Sequence, residues 1–181
     1  MKEIRIHGRG GMGNVTAAEL LAEAAFADGK YAQAFPFFGA ERQGAPVVAF
    51  VRLDDRPIRV RQQVYEPDYL IVQDAGLIYN ADVLEGLKPG GTVLVNTTRP
   101  GEELPIGAGF KIYTVPALKV ALEIIGRPII NVVMVGAFAC ATGLVRMEAV
   151  TAAIRARFPG ELGEKEALAT MKACEQIGEC G

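Results

Sequence analysis

Apolar and polar positions alternate along the first two-thirds of the chain in a pattern that predicts strands and helices in turn. Glu3–His7 has the period of two that is typical of a strand, whereas apolar residues between Val15 and Asp28 recur every three or four positions, as in a helix. The same reading predicts strands at 31–35, 46–53, 58–60, 69–73, 92–96 and 111–114, a short helix at 80–87, and helices at 117–125, 130–142, 147–158 and 164–177.

This order of elements predicts an α/β fold. Strands that alternate with helices favour a Rossmann-like, mostly parallel sheet with helices on both faces, giving three layers. Residues 46–60 read as an antiparallel β-hairpin inserted into that pattern, with a turn at Asp54–Arg56. The C-terminal third is helical, and no linker divides the chain, so we expect residues 1–181 to form a single domain.

Composition and charge exclude several classes of protein. Half of the 181 residues are hydrophobic and the net charge is -2, with basic residues dispersed, so nothing indicates a nucleic-acid partner. The longest apolar stretch, Ile129–Leu144, is shorter than a membrane span and is interrupted by polar and glycine residues. The N-terminus shows no secretory signal pattern. We therefore expect a cytoplasmic protein without membrane contact.

Three cysteines, Cys140, Cys174 and Cys180, are widely spaced. An odd number at such spacings fits free thiols in a cytosolic protein better than a disulfide framework. It is also too few for the four thiolates of an iron–sulfur cluster.

The strongest local motif is the G-x-G-x-x-G run from Gly8 to Gly13, which lies between a predicted strand and a predicted helix. Glycines permit the tight turn, the close approach of a ligand and the packing of helix on strand. Backbone N–H groups at the start of the helix would face an anion. The candidate binding residues of this turn are Gly8, Gly10, Gly11, Gly13, Asn14 and Thr16.

Three interpretations of the turn stay open: a purely structural turn, an anion site and a full dinucleotide site. A dinucleotide site usually has an acidic residue about 20 positions further on, at the end of the second strand, to bind the ribose. Here that strand is followed by Pro36–Phe38, and the next acid, Glu41, lies in a separate loop. A phosphate-binding loop of the Walker type is excluded because Asn14-Val15 replaces Lys-Ser/Thr.

The loop from Pro36 to Ala45 combines aromatic residues with the charged pair Glu41-Arg42. Exposed apolar loops of this kind are typical of protein interfaces, and Arg42 could bind a carboxylate or phosphate. The alternative is that the aromatics pack into the core and Glu41 pairs with Arg42. His7, the only histidine, has no evident carboxylate or nucleophile partner and is interpreted as a packing or hydrogen-bonding residue.

An ordered set of motifs resembles the gamma subunit of pyruvate and related 2-oxoacid:ferredoxin oxidoreductases. The set covers nearly the whole chain and includes Ile6–Gly13, Phe38–Val47, Pro67–Val72, Gly86–Gly91 and Gly126–Asn131. In that family the reaction converts pyruvate, coenzyme A and oxidised ferredoxin to acetyl-CoA, CO2 and reduced ferredoxin. Branched-chain 2-oxoacids or 2-oxoglutarate are alternative substrates.

The resemblance implies a multi-subunit enzyme in which this chain is non-catalytic alone. Thiamine diphosphate, Mg2+ and [4Fe-4S] clusters would be bound by alpha-, beta- and delta-type subunits, and ferredoxin would dock on the complex. No cofactor is assigned to this chain, which would be architectural and could face coenzyme A. The two alternatives are a stand-alone Rossmann-type enzyme that uses NAD or FAD, and a pure protein-interaction module.

Overall fold

The computed structural model describes residues 1–37, 44–80 and 82–180. Most of its strands and helices follow the predicted order with small shifts at their ends. The strands are β1 (Lys2–Arg9), β2 (Tyr31–Phe37), β3 (Pro46–Asp54), β4 (Tyr69–Val72), β5 (Thr92–Asn96), β6 (Lys111–Val115) and β7 (Gly178–Cys180). The helices are α1 (Asn14–Ala27), α2 (Leu77–Asn80), α3 (Ala117–Ile124), α4 (Ile130–Thr142), α5 (Met147–Arg157) and α6 (Glu161–Cys174).

The seven strands of the described residues form one sheet in the order β2-β3-β1-β4-β5-β6-β7. The central strands β1, β4, β5 and β6 are parallel, and antiparallel strands complete both edges. The predicted α/β fold with a β-hairpin insertion is therefore confirmed. The short edge strand β7 had no clear signal in the sequence, because it is only three residues long.

The predicted hairpin pairs different strands from those expected. β3 pairs with β2 on one side and with β1 on the other, so the hairpin is β2–β3. Residues 58–60, expected to return as a strand, carry no strand assignment. The position beside β3 that they would occupy is already filled by β2. The short helix expected at 80–87 was also misplaced, since α2 covers Leu77–Asn80.

The helices are distributed unequally over the two faces of the sheet. Side chains of Ile4 and Ile6 on β1 belong to the main core with α1, α3, α4, α5 and α6. The neighbouring positions Arg5 and His7 point to the other face, where α2, a 3-10 turn and loops cover a smaller core. The expected three layers are present, but the second outer layer is mostly irregular chain.

Helix α4 lies in the centre of the larger core, and ten of its thirteen residues are buried. Phe138 packs edge-on against Tyr69 of the sheet. On the other side α6 approaches so closely that a Cβ on Gly136 would lie 1.8 Å from Cγ2 of Thr170. The apolar character of this segment is thus explained by burial. Within the described part of the chain, no helix has the length and hydropathy needed to cross a bilayer.

The structure joins Cys140 and Cys174 in a disulfide, with their Cα atoms 5.7 Å apart. The prediction of free thiols is wrong for this pair. The two residues lie 34 positions apart in the sequence, and only the packing of α6 along α4 brings them together. The bond links the C-terminal parts of these two helices.

Arg52 of β3 is a buried hub on the irregular face, with 1% of its surface exposed. Its guanidinium donates to Glu3 Oε1 at 2.9 Å and to the carbonyl oxygens of Gln62 and Gln63 at 2.6 and 3.2 Å. It also lies over the ring of Phe35. Among the described residues, no backbone–backbone hydrogen bond involves residues 57–66. Arg52 therefore holds this segment against the sheet.

Glu166 of α6 is 1% exposed, and its Oε2 atom has no hydrogen-bond partner within the described chain. Burial raises the pKa of this carboxyl from 4.5 to about 7. At this carboxyl the folded protein thus binds more protons than the unfolded chain between pH 4.5 and about 7, and the contribution of Glu166 to stability falls as pH rises through this window.

We expect Glu166→Gln to gain stability relative to the parent protein as pH rises from 4.5 to about 7. The gain should approach about 3 kcal/mol at pH 8, because each pKa unit corresponds to about 1.4 kcal/mol. Denaturant unfolding of both proteins across this range measures the difference. The contribution of the buried His7 to the pH dependence of stability is the same in both proteins and cancels in their difference. A difference that does not change with pH would contradict this reading.

Candidate functional site

The glycine turn connects the carboxyl end of β1 to the start of α1. Gly11 and Gly13 have φ values of 91° and 75°, in the left-handed region that strongly favours glycine. The turn is tied to the residues that precede β3: Gly10 N–H donates to the Ala45 carbonyl at 2.9 Å, and Gly44 N–H donates to the Gly10 carbonyl at 3.3 Å. The candidate turn is therefore a fixed structure.

Two asparagines leave no room for side chains at the outer glycines of the motif. A Cβ on Gly8 would lie 2.3 Å from Oδ1 of Asn14, and one on Gly13 would lie 2.6 Å from Nδ2 of Asn131. The Asn131 amide donates to the Gly13 carbonyl at 3.4 Å. Asn131 lies in the first turn of α4, so its amide fixes the start of α4 against the glycine turn.

The Asn14 side chain forms hydrogen bonds inside the protein and is only 3% exposed. It donates to the Val47 carbonyl at 3.4 Å and accepts from the amide of Gln73. Asn96 in turn donates to the Gln73 carbonyl at 3.0 Å and caps the Leu118 N–H of α3. Asn14 can therefore offer a ligand only its backbone N–H, whereas Thr16 is half-buried in the first turn of α1.

A cavity of about 330 Å³ opens over the turn and the start of α1, lined by Arg9, Gly10, Gly11, Gly13, Asn14, Val15 and Val47. We call this the glycine cradle. The first N–H groups of a helix have no partner within the helix, and the helix dipole adds positive potential there. The structure thus brings four of the six candidate turn residues, Gly10, Gly11, Gly13 and Asn14, to one concave surface. Gly8 and Thr16 do not line it.

The cradle continues into a trough along the carboxyl ends of the parallel strands. A second cavity of about 500 Å³ shares Gly11 with the cradle and reaches Gln73, Asp74 and Asn96. A third, of about 530 Å³, shares Asn96 and Leu118 with the second. Ligands of open α/β sheets bind at this edge. An elongated ligand would fit along it.

Charges around the trough favour an anion. Asp74 is already paired with Arg9, which also donates to the Gly44 carbonyl. Arg99 follows β5, and Arg127 precedes Pro128 of the trough. Both are exposed, and neither forms an ion pair with any described residue. Cations therefore remain available at this edge of the sheet.

The sheet order argues against a dinucleotide. In a dinucleotide-binding fold the strand beside β1 is parallel to it and ends in the ribose-binding acid. Here the antiparallel β3 occupies that position, and residues 44–47 lie against the glycine turn. The strand that follows α1 is displaced to the sheet edge. The absence of the expected acid in the sequence thus has a topological reason.

His7 ends β1 but is buried, with 8% of its surface exposed. Desolvation by burial, with a smaller contribution from the nearby Arg5 charge, lowers its pKa from 6.5 to about 3. The imidazole is neutral at physiological pH and lines none of the described cavities. This agrees with its interpretation as a packing residue.

One candidate residue cannot be placed, and one residue of the site was not predicted. Arg42, with Glu41 and Phe38, lies outside the described residues, so its proposed anion contact stays a prediction. Gln73 was missed, although its position at the end of an apolar strand was a usable signal, like that of Asn96. Among the described residues, no group of three or more His, Cys, Asp or Glu side chains could hold a metal ion.

Comparisons with known proteins agree on one protein family. Residues 3–177 match the pyruvate ferredoxin/flavodoxin oxidoreductase family. The chain is 55% identical over 177 residues to pyruvate synthase subunit PorC of Methanothermobacter thermautotrophicus, covering 98% of this chain and 96% of the relative. It is 54% identical over 183 residues to the pyruvate/ketoisovalerate oxidoreductases common subunit gamma of Thermococcus litoralis, covering 97% of each.

Solved structures agree with this result. The crystal structure of pyruvate oxidoreductase subunit PORC from Thermotoga maritima superposes with a TM-score of 0.87 at 38% identity, covering 99% of this chain and 98% of that one. The keto/oxoacid ferredoxin oxidoreductase gamma subunit from Geobacter sulfurreducens gives a TM-score of 0.79 at 29% identity, covering 97% of each chain.

Proposed function

Because the chain belongs to the pyruvate ferredoxin/flavodoxin oxidoreductase family, we propose a specific task for it as the gamma subunit of such an enzyme. Its glycine cradle binds the phosphate groups of coenzyme A while partner subunits carry out the chemistry. The overall reaction is pyruvate, coenzyme A and two oxidised ferredoxins to acetyl-CoA, CO2, a proton and two reduced ferredoxins.

The cradle is the observation that carries this proposal. It presents backbone N–H groups and the positive end of α1 to a cavity of about 330 Å³. Coenzyme A is the phosphate-bearing substrate of the reaction, and its long pantetheine arm suits the trough that extends from Gly11 past Asn96. Arg42, which precedes the cradle-bound residues 44–45 in sequence, is proposed to contact the same phosphates.

The partners are proposed to be alpha-, beta- and delta-type subunits. These would hold thiamine diphosphate with Mg2+ and the [4Fe-4S] clusters, which supply decarboxylation and electron transfer to ferredoxin. The described residues of the cradle fit an anion and offer no thiolate or carboxylate set for Mg2+ or an iron–sulfur cluster. This chain's contribution is to bind and orient coenzyme A, and residues 1–181 are proposed to act as one domain.

The choice of 2-oxoacid is proposed to rest with the partner subunits. The Thermococcus relative is named as a gamma subunit common to pyruvate and ketoisovalerate oxidoreductases. A subunit that serves two substrates would bind what they share, which is coenzyme A and not the 2-oxoacid. A branched-chain 2-oxoacid is therefore the second substrate to assay.

Substitution of Gly11 tests the proposal with a matched pair of variants. A Cβ at Gly11 meets no atom of the described residues within 4 Å, and Asn and Asp tolerate its left-handed φ best among residues with side chains. Gly11→Asp places a carboxylate in the cradle, whereas Gly11→Asn has the same shape without the charge. We expect the KM for coenzyme A to be about 10-fold higher in the Asp variant than in the Asn variant. This ratio is the equivalent of about 1.4 kcal/mol.

The measurement uses the assembled oxidoreductase with ferredoxin reduction as the readout. At saturating coenzyme A the two variants should reach the same kcat, and the difference in KM should shrink as NaCl screens the charge. Equal KM values for the Asp and Asn variants at low salt would show that no phosphate binds in the cradle.

A further inference from the structure

The segment that Arg52 holds against the sheet has an unusual outer surface. Residues 56–66 run across the irregular face without regular structure. Arg56, Arg59 and Arg61 are exposed, and none of them forms an ion pair with any described residue. Ile58 and Val60 between them are half-buried. We call Arg56, Arg59, Arg61 and Tyr65 the arginine–tyrosine strip.

This strip is a local concentration of positive charge on a chain whose net charge is -2. The three guanidinium groups form no ion pair with a described carboxylate, because the preceding Asp54 and Asp55 pair with the N-terminal amine and Lys30, and the following Glu66 is exposed and forms no ion pair with a described cation. An acidic surface placed against these groups would form charge pairs that the described residues of the isolated chain do not supply.

Tyr65 is the aromatic member of the strip and is 65% exposed. Its neighbours fix its position: Val64 is 2% exposed, and Gly86 packs so closely that a Cβ there would lie 2.0 Å from the Tyr65 carbonyl oxygen. The ring is therefore held outward on an anchored backbone. Arginine and tyrosine are, with tryptophan, the residues enriched at energetically important positions of protein interfaces.

The strip lies at the opposite end of the sheet from the glycine cradle. β3 ends at Asp54 beside Tyr31, and Leu53 pairs with Lys2 at the start of β1. The glycine turn follows the other end of β1, roughly 20 Å away at about 3.3 Å per residue. Binding at the strip is therefore separate from binding of coenzyme A.

We propose that the arginine–tyrosine strip is a docking surface for an acidic face of another subunit of the same oxidoreductase. Carboxylates of that subunit pair with Arg56, Arg59 and Arg61, and Tyr65 is the aromatic anchor of the contact. The buried Arg52 fixes the backbone of the strip in place, because its guanidinium donates to the carbonyl groups of Gln62 and Gln63.

The test measures how much of this chain remains in the complex. All subunits are co-expressed with an affinity tag on another subunit, and retention is followed at increasing NaCl without coenzyme A. Arg59→Glu with Arg61→Glu should lower retention at least about 10-fold, and Tyr65→Ala should act in the same direction. Arg59→Lys with Arg61→Lys should keep most of it at low salt.

Lys165→Glu with Lys172→Glu is the control matched in net charge: it makes the same charge change on α6 and leaves the strip intact, although it also breaks the ion pairs of these lysines with Glu161 and Glu175. It should be retained like the parent chain. Melting temperatures of the purified chains check folding, and Arg59→Gln with Arg61→Gln replaces the Glu variant if that variant does not fold. Parent-like retention of the strip variants, or equal loss in the α6 control, would overturn the proposal.

Discussion

Replacing Arg52 with alanine should lower the free energy of unfolding by about 3–5 kcal/mol, the usual loss when one member of a buried ion pair is removed. The change leaves Glu3 without its guanidinium partner and removes the donors that hold the carbonyls of Gln62 and Gln63. Urea unfolding of the purified subunit measures the loss.

Release of the held segment gives a second readout of the same change. Trypsin should cleave after Arg59 and Arg61 faster in the Arg52→Ala protein, because cleavage follows the population of the opened segment. Glu3→Gln is the control: it removes the charge of the partner but keeps an accepting oxygen, so its loss should be smaller. An Arg52→Ala protein as stable and as resistant to trypsin as the parent would refute the role of Arg52 as a hub.

Gly13→Ala should destabilise the subunit by about 2–4 kcal/mol and weaken coenzyme A binding by the complex. Part of the loss comes from placing alanine at a φ of 75°, which costs about 1–2 kcal/mol. The rest comes from contact with Asn131, whose Nδ2 atom would lie 2.6 Å from the new methyl group.

The double variant Gly13→Ala with Asn131→Ala separates these two contributions. Removal of the Asn131 amide relieves the contact but leaves the backbone strain and breaks the hydrogen bond to the Gly13 carbonyl, so we expect the double variant to lose less stability than the sum of the two single variants. Such coupling between neighbours is the signature of direct contact. If the two substitutions are simply additive, Asn131 does not pack against the turn as the structure has it.

The sequence was most informative where local chemistry decides the structure. The apolar runs at 92–96 and 130–142 were placed within a residue, since burial on all sides leaves a continuous hydrophobic signal. The glycine turn was located because a strand, a run of glycines and an amphipathic helix follow one another directly. These features need no knowledge of distant contacts.

The features that were missed depend on tertiary contacts. Residues 58–60 have the composition of a strand, but β2 already occupies the edge of β3, and no local signal reports that. The pairing of Cys140 with Cys174 follows from the packing of α4 on α6. The hydrogen bonds of the Asn14 side chain with Gln73 and Val47 likewise depend on residues 59 and 33 positions away. Sequence could name Asn14 as a candidate but could not show which of its groups is free.

The central claim is that the backbone N–H groups at the start of α1 bind a phosphate of coenzyme A in the assembled enzyme. A cryo-electron microscopy map of the complex with coenzyme A bound tests it directly. We predict a phosphate oxygen within about 3 Å of the N–H groups in the first turn of α1, over Gly11 and Gly13. Coenzyme A held entirely by other subunits, with protein side chains filling the cradle, would contradict it.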